Sequence, residues 1–174
     1  MSTLSYKVAA LIKRTSPEQT ASIEVMHYAL TIILNSLLII VVSLIIGGIT
    51  GKLPETALTL LSFSLLRLFS GGKHLKTATQ CNLISVSLCS FIPHLAPFSN
   101  NFSLGINVLS LIIVIFCAPS PDINTQVPSN WYPKLKLISI LIVASNLLIQ
   151  SSVIGLSFLA QSLTLNLFER RSSI

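Results

Sequence analysis

The polar chemistry of this chain is concentrated in one stretch, Arg67-Leu-Phe-Ser-Gly-Gly-Lys-His-Leu-Lys-Thr-Ala-Thr-Gln-Cys81. Gly71 and Gly72 are expected to end a helix and let the backbone take conformations closed to other residues. Thr77-Ala-Thr-Gln80 has the form of a capping box just ahead of an apolar run, which predicts a helix start at Thr77 and places Cys81 in its first turn. Unpaired amides and the positive end of the helix dipole put positive potential there, as do Lys73, Lys76 and Arg67 nearby in sequence, a setting suited to a reactive cysteine. His74 is the one histidine of this loop. A cysteine with a histidine base is the nucleophile pair of acyl-transfer chemistry.

Spacing constrains that pair. In an unbroken helix, residues seven apart are separated by about 10.5 Å along the axis. Proton transfer needs roughly 2.6–3.2 Å between heavy atoms. The chain between His74 and Cys81 must therefore fold back, or the pair forms between two subunits. A plainer reading stays open on these residues alone: a basic loop whose cysteine lies at a helix end. Arg67 and the loop lysines attract an acidic segment, stabilise an oxyanion, or anchor to the inner leaflet. Ser85, one turn beyond Cys81, either bonds within a site or bonds back to its own helix. Amides at the start of that helix are the natural oxyanion donors. Asp122, the one carboxylate of the next polar loop, has no spacing argument in its favour and reads as loop surface.

The elements that position this loop follow from composition. The chain has 174 residues, 52% hydrophobic and 9% charged, with mean hydropathy +0.81. An ordinary globular chain carries about 25% charge. The deficit excludes an ordinary soluble, disordered or nucleic-acid-binding protein and predicts an all-α, polytopic membrane protein in a single domain, residues 1–174. The first fifteen residues read as a surface helix, with Leu4, Val8, Leu11 and Ile12 on one face and Lys7, Lys13 and Arg14 around the other. No secretory signal peptide is recognisable at the start. Ser16-Pro17-Glu18-Gln19 then reads as a helix start.

Six apolar stretches follow, at 28–48, 53–69, 82–98, 103–118, 137–150 and 152–168, against the roughly 17–25 residues of a span. Pro93, His94 and Pro97 predict a kinked or partial third span. The last two stretches would overshoot the bilayer as one helix, so a tight break is expected near Gln150-Ser151-Ser152. With the N-terminus inside, ten basic residues fall on the cytoplasmic side (Lys7, Lys13, Arg14, Arg67, Lys73, Lys76, Lys134, Lys136, Arg170 and Arg171) and only Lys52 outside. That asymmetry is the one the positive-inside rule requires. It puts both termini and the 67–81 and 119–136 loops in the cytoplasm.

The string Arg67-x3-Gly71-Gly72-x-His74-x6-Cys81-x3-Ser85 resembles the signature of the AgrB family, membrane cysteine endopeptidases that mature cyclic peptide signals of quorum sensing. The likeness extends to the basic amphipathic start, the six spans, Ala118-Pro119 after the fourth, and the basic pair Lys134 and Lys136 before the fifth. The family's cluster at that last place is denser. The resemblance implies that Cys81 is the nucleophile and His74 its base. The substrate would be a short precursor peptide, AgrD-like, held at the lipid surface by its amphipathic N-terminus. The enzyme would release its acidic tail, hold the peptide as a thioester and close a thiolactone or lactone ring. The resemblance also implies a homodimer, no cofactor and no metal. Arg67, Gly71, Gly72, Ser85, Lys134 and Lys136 would support the site or bind substrate.

Other residues read as structural. Cys89 and Cys117 are small packing residues within spans. His94 satisfies a kinked backbone, His27 and Glu24 meet headgroups, and Trp131 and Tyr132 form an interfacial anchor. Asn35, Asn107 and Asn146 hydrogen-bond between helices. The competing class is a non-enzymatic transporter or scaffold for peptide export. Mid-span ionisable residues, which ion-coupled transport uses, are almost lacking. A metal-dependent hydrolase would lack ligands, with three scattered histidines and no paired acidic motif.

Overall fold

The computed structural model describes residues 2–16, 20–72, 77–120 and 128–165. Among them the structure is all-α: α1 (Ser2–Thr15), α2 (Ile23–Ile49), α3 (Leu53–Ser70), α4 (Ala78–Leu95), α5 (Ser103–Cys117), α6 (Tyr132–Ile149) and α7 (Ser152–Leu163). Short 3-10 helices cover Ala96–Phe102 and Ser129–Trp131. Among the described residues three helical stretches are long and apolar enough to cross a membrane: Ile23–Ile49, Ala78–Cys117 and Ser129–Ile149.

The distribution of side chains is inverted relative to a protein folded in water. Leu61, Leu68, Phe91, Phe98, Leu104, Phe116 and Leu148 are exposed, whereas Thr56, Thr59, Ser70, Ser110, Ser139, Ser157 and Gln161 are almost wholly buried. Lipid as solvent explains this. Apolar side chains gain nothing by leaving it, and small polar residues let helices approach. The buried hydroxyls close on carbonyls of their own helix, as Thr56 on Lys52, Thr59 on Glu55, Ser110 on Ile106, Ser139 on Leu135 and Ser157 on Val153.

The chain divides into two compact units, Met1–Val42 and Ser43–Ile174. In the first, Ser5 and Ala9 of α1 are fully buried, while Leu4 and Leu11 of the anticipated apolar face are more than half exposed. The inward face of α1 is thus its small-residue face, and the large side chains are left for lipid. Ser5 Oγ lies 2.9 Å from His27 Nδ1 and 2.8 Å from Thr31 Oγ1, and Thr31 donates to the His27 carbonyl. His27 therefore joins α1 to α2 rather than merely meeting headgroups. The Tyr6 ring meets it edge-on. The first turn of the helix start expected at Ser16-Pro17-Glu18-Gln19 lies on residues 17–19, outside the described residues. Ser16 N–H closes the end of α1 on Ile12, and α2 begins at Ile23 with Ser22 Oγ accepting from Val25 N–H.

In the second unit α7 packs against α3, α4, α5 and α6. Leu66, Val114, Ala118, Val143, Phe158 and Leu165 form its apolar core, with Cys117 against them. Cys89 is also buried, so both set-aside cysteines do pack. Pro93 lies inside α4 without ending it, and Pro97 sits in the first turn of the 3-10 segment that carries the helical path on to α5. The break at Gln150 is present. Gln150 takes a left-handed conformation and Ser151 caps α7 by accepting from Ile154 N–H. Asn146 holds this turn from below, exchanging bonds of 3.1 Å with the Ser151 carbonyl and N–H, and its amide reaches Asn107 Oδ1 at 3.3 Å.

Neighbouring glycines at the end of α2 make a stability test. A Cβ added at Gly47 would lie 2.6 Å from Thr56 Oγ1 and 2.8 Å from Thr56 Cβ, whereas one at Gly48 meets nothing within 4 Å. Gly47→Ala is expected to destabilise the protein by about 1–3 kcal/mol through overpacking. Gly48→Ala gains helix propensity of roughly 1 kcal/mol. Thermal unfolding in detergent should move the two midpoints in opposite directions.

Candidate functional site

The described candidate residues Arg67, Gly71, Gly72, Cys81 and Ser85 lie on or at the ends of α3 and α4, which pack on each other and on α7. At the start of α4, Thr77 has extended backbone angles and its Oγ1 accepts from Gln80 N–H at 3.3 Å. Cys81 N–H makes the first bond of the helix proper, to the Thr77 carbonyl at 3.2 Å. Cys81 is a free thiol, partly exposed, in the first turn. The Thr77 half of the predicted capping box is formed. Amides of a helix's first turn have no intrahelical acceptor and present positive potential to whatever approaches. Ser85 lies one turn along and is buried.

On the other side of the loop, α3 ends at Ser70 and the glycines turn the chain. Gly71 has φ 71° and ψ −148°, and Gly72 has φ 147°. Both conformations are strained for any residue with a Cβ. Ser120 pairs with this segment as a short parallel bridge: Gly72 N–H donates to the Ser120 carbonyl at 3.1 Å, and Ser120 N–H donates to the Ser70 carbonyl at 2.9 Å. Ser120 follows the cis peptide bond between Ala118 and Pro119. The two polar loops anticipated on one side of the membrane are thus hydrogen-bonded to each other.

A third element holds the same segment. Gln161, fully buried on α7, donates through Nε2 to the Gly71 carbonyl at 2.7 Å and to Ser70 Oγ at 3.3 Å. Its Oε1 accepts from Arg67 Nη1 at 3.4 Å. A Cβ added at Gly72 would lie 2.9 Å from Thr164 Oγ1 and 3.3 Å from Gln161 Nε2, so the backbone passes close against the end of α7. Arg67 is half-buried and directed to this cluster, and its carbonyl accepts from Gly71 N–H.

Of the sequence-derived site residues, Arg67, Gly71 and Gly72 come together, and Cys81 and Ser85 lie on adjoining α4. His74, with Lys73 and Lys76, lies outside the described residues, as does Asp122. Lys134 lies with Nζ 4.7 Å from the centre of the Trp131 ring, a cation–π contact at the start of α6, and Lys136 is half-buried two residues further on. His94 is exposed at the far end of α4, roughly 20 Å along the helix from Cys81. Among the described residues, no three His, Cys, Asp or Glu side chains gather as a metal site. Sequence reasoning missed Gln161, Thr164 and Ser120. The one signal for Gln161 was an amide in an otherwise apolar helix, which must find partners when buried.

Comparison with known proteins gives a consistent picture. The chain is 33% identical over 100 residues to an AgrB-like protein of Halalkalibacterium halodurans, covering 58% of this chain and 50% of that protein. It is 27% identical over 134 residues to the accessory gene regulator protein B of Staphylococcus aureus, covering 75% and 71% of the two chains. With the Staphylococcus haemolyticus protein of the same name it shares 30% identity over 97 residues, 54% of this chain and 52% of the other. The match thus spans about half the length of the first and third of these relatives. No solved structure matches the chain. The family sequence profile described as Accessory gene regulator B matches residues 5–168, nearly the whole chain, from the helix that bears Ser5 to beyond the helix that bears Gln161. This chain therefore belongs to the AgrB family.

Proposed function

We propose that the protein is a multi-pass membrane cysteine endopeptidase that trims a short precursor peptide and cyclises it to a quorum-sensing signal. The observation that carries this reading is Cys81 in the Thr77-capped first turn of α4, nine residues along the sequence from a Gly-Gly segment held on two sides. His74 lies between them in sequence, two residues beyond Gly72. A capped helix start and a pinned glycine pair are the two fixed ends that a nucleophile and its base require. Membership of the AgrB family supports the same assignment.

In the first step His74 takes the thiol proton and Cys81 Sγ attacks the carbonyl carbon that joins the signal segment to its tail. The carbon–nitrogen bond breaks, His74 protonates the departing amine, and the peptide remains on Cys81 as a thioester. First-turn amides of α4 face the developing oxyanion. In the second step a thiol or hydroxyl of the bound peptide gives its proton to His74 and attacks the thioester carbonyl. Cys81 then leaves as thiolate and recovers that proton. The acyl group passes from sulfur to sulfur or oxygen, so closure of the ring requires no ATP. Water at the site would divert the thioester to a linear acid, which a membrane-surface location limits.

The surrounding reading is six spans with both termini and the site cytoplasmic, one peptidase domain, and a homodimer in lipid. Arg67, Lys134 and Lys136 supply positive potential for an acidic tail. The test is co-expression with the short precursor encoded beside the gene, followed by mass spectrometry of the peptides. A tail-less product one water lighter than the linear fragment, made by wild type and not by Cys81→Ala, is the expected result. A tail-less product at full linear mass would leave a protease without cyclase activity. Equal processing by both forms would reject the peptidase and favour a transporter or scaffold.

A further inference from the structure

We propose that Gln161 is a positioning residue for His74: it fixes the Gly71–Gly72 backbone from which the His74 segment departs. This rests on the assignment of Cys81 and His74 as the reacting pair. Both ends of the buried amide are specified by their partners. Oε1 faces the Arg67 guanidinium, which only donates, and Nε2 faces the Gly71 carbonyl, which only accepts. Rotating the amide by half a turn would oppose like groups at both ends.

The residue type follows from that double role. An apolar side chain would fill the space between α7 and the glycines equally well in lipid-solvated packing. A carboxylate would pair more strongly with Arg67. Neither supplies the N–H that reaches Gly71 at 2.7 Å, the shorter of the two links by far. Without it the part-buried Gly71 carbonyl keeps only the longer bond from Ser70 Oγ, at 3.3 Å, at a point where the backbone has two consecutive conformations available only to glycine. Ser120 holds Gly72 from one side and Gln161 holds Gly71 from the other, so the direction in which the chain leaves toward His74 depends on both. Displacing a base by about 1 Å costs on the order of 100-fold in rate.

The test uses the full-length protein in nanodiscs with a synthetic precursor peptide, comparing wild type, Gln161→Leu, Gln161→Glu and Cys81→Ala. At neutral pH both Gln161 variants are expected to lose about tenfold or more in kcat, with KM changed by no more than about twofold. The ratio of Gln161→Glu to wild-type kcat should rise as pH falls, because the introduced carboxyl gains a proton it can donate to the Gly71 carbonyl. Gln161→Leu should show no such rise. If Gln161→Leu fails to accumulate, the pH-dependent ratio of Gln161→Glu decides alone. Wild-type rates for Gln161→Glu at neutral pH, or a ratio independent of pH, would overturn the role of Gln161 while cysteine-dependent processing stood. Undiminished processing by Cys81→Ala would instead remove the peptidase reading itself.

Discussion

Cys81→Ala and His74→Ala should each reduce formation of the tail-less peptide severely, and the double variant should be little worse than the more damaged single. Loss of the sulfur removes the acyl carrier, so no thioester forms and cleavage should fall to background. Loss of the imidazole leaves a thiol that must ionise and protonate its leaving amine through water, a deficit of roughly 10²–10⁴-fold for a positioned acid–base group. The two side chains act in one step, so their effects should not multiply. A cycle of four proteins, followed by the rate of tail release in membranes, measures this directly. Multiplying losses would mean that His74 acts elsewhere than on Cys81, for example on peptide binding. Retained activity in His74→Ala would require another base.

Much of the fold was legible because the signals were local or set by the thickness of the membrane. Thr77 and Gln80 are three residues apart and their cap depends on nothing distant. The break at Gln150 followed from length, since one helix through both apolar stretches would be too long for a bilayer. In α1 the apolar face expected at a membrane surface stays exposed at Leu4 and Leu11, but the inward turn of Ser5 and Ala9 was not legible, because small residues carry little hydropathy signal. The part of the site that could not be read joins distant positions. Gln161 reaches a carbonyl 90 residues earlier, and Ser120 pairs with Gly72 through backbone groups that every residue possesses.

The same geometry makes Gly72→Ala an expected severe loss of function without loss of the protein. Two costs act together. At φ 147° a Cβ is strained by about 1–3 kcal/mol. The added methyl would also sit 2.9 Å from Thr164 Oγ1, which donates at 2.7 Å to the Gln161 carbonyl and cannot swing away freely. The helices on either side are secured by their own packing, so relief comes from moving the glycine segment off Ser120 and Gln161. That movement is passed to His74 two residues later. Processing should fall by about 100-fold, with the amount in the membrane close to wild type. Gly105→Ala is the control, because a Cβ there meets nothing within 4 Å. Adding Thr164→Ala to Gly72→Ala removes the collision and leaves the backbone strain, so activity should return only in part. Complete recovery would make the contact with α7 the whole cost. No recovery would put it in the glycine conformation. Wild-type rates for Gly72→Ala alone would mean that catalysis does not depend on how the chain leaves α3.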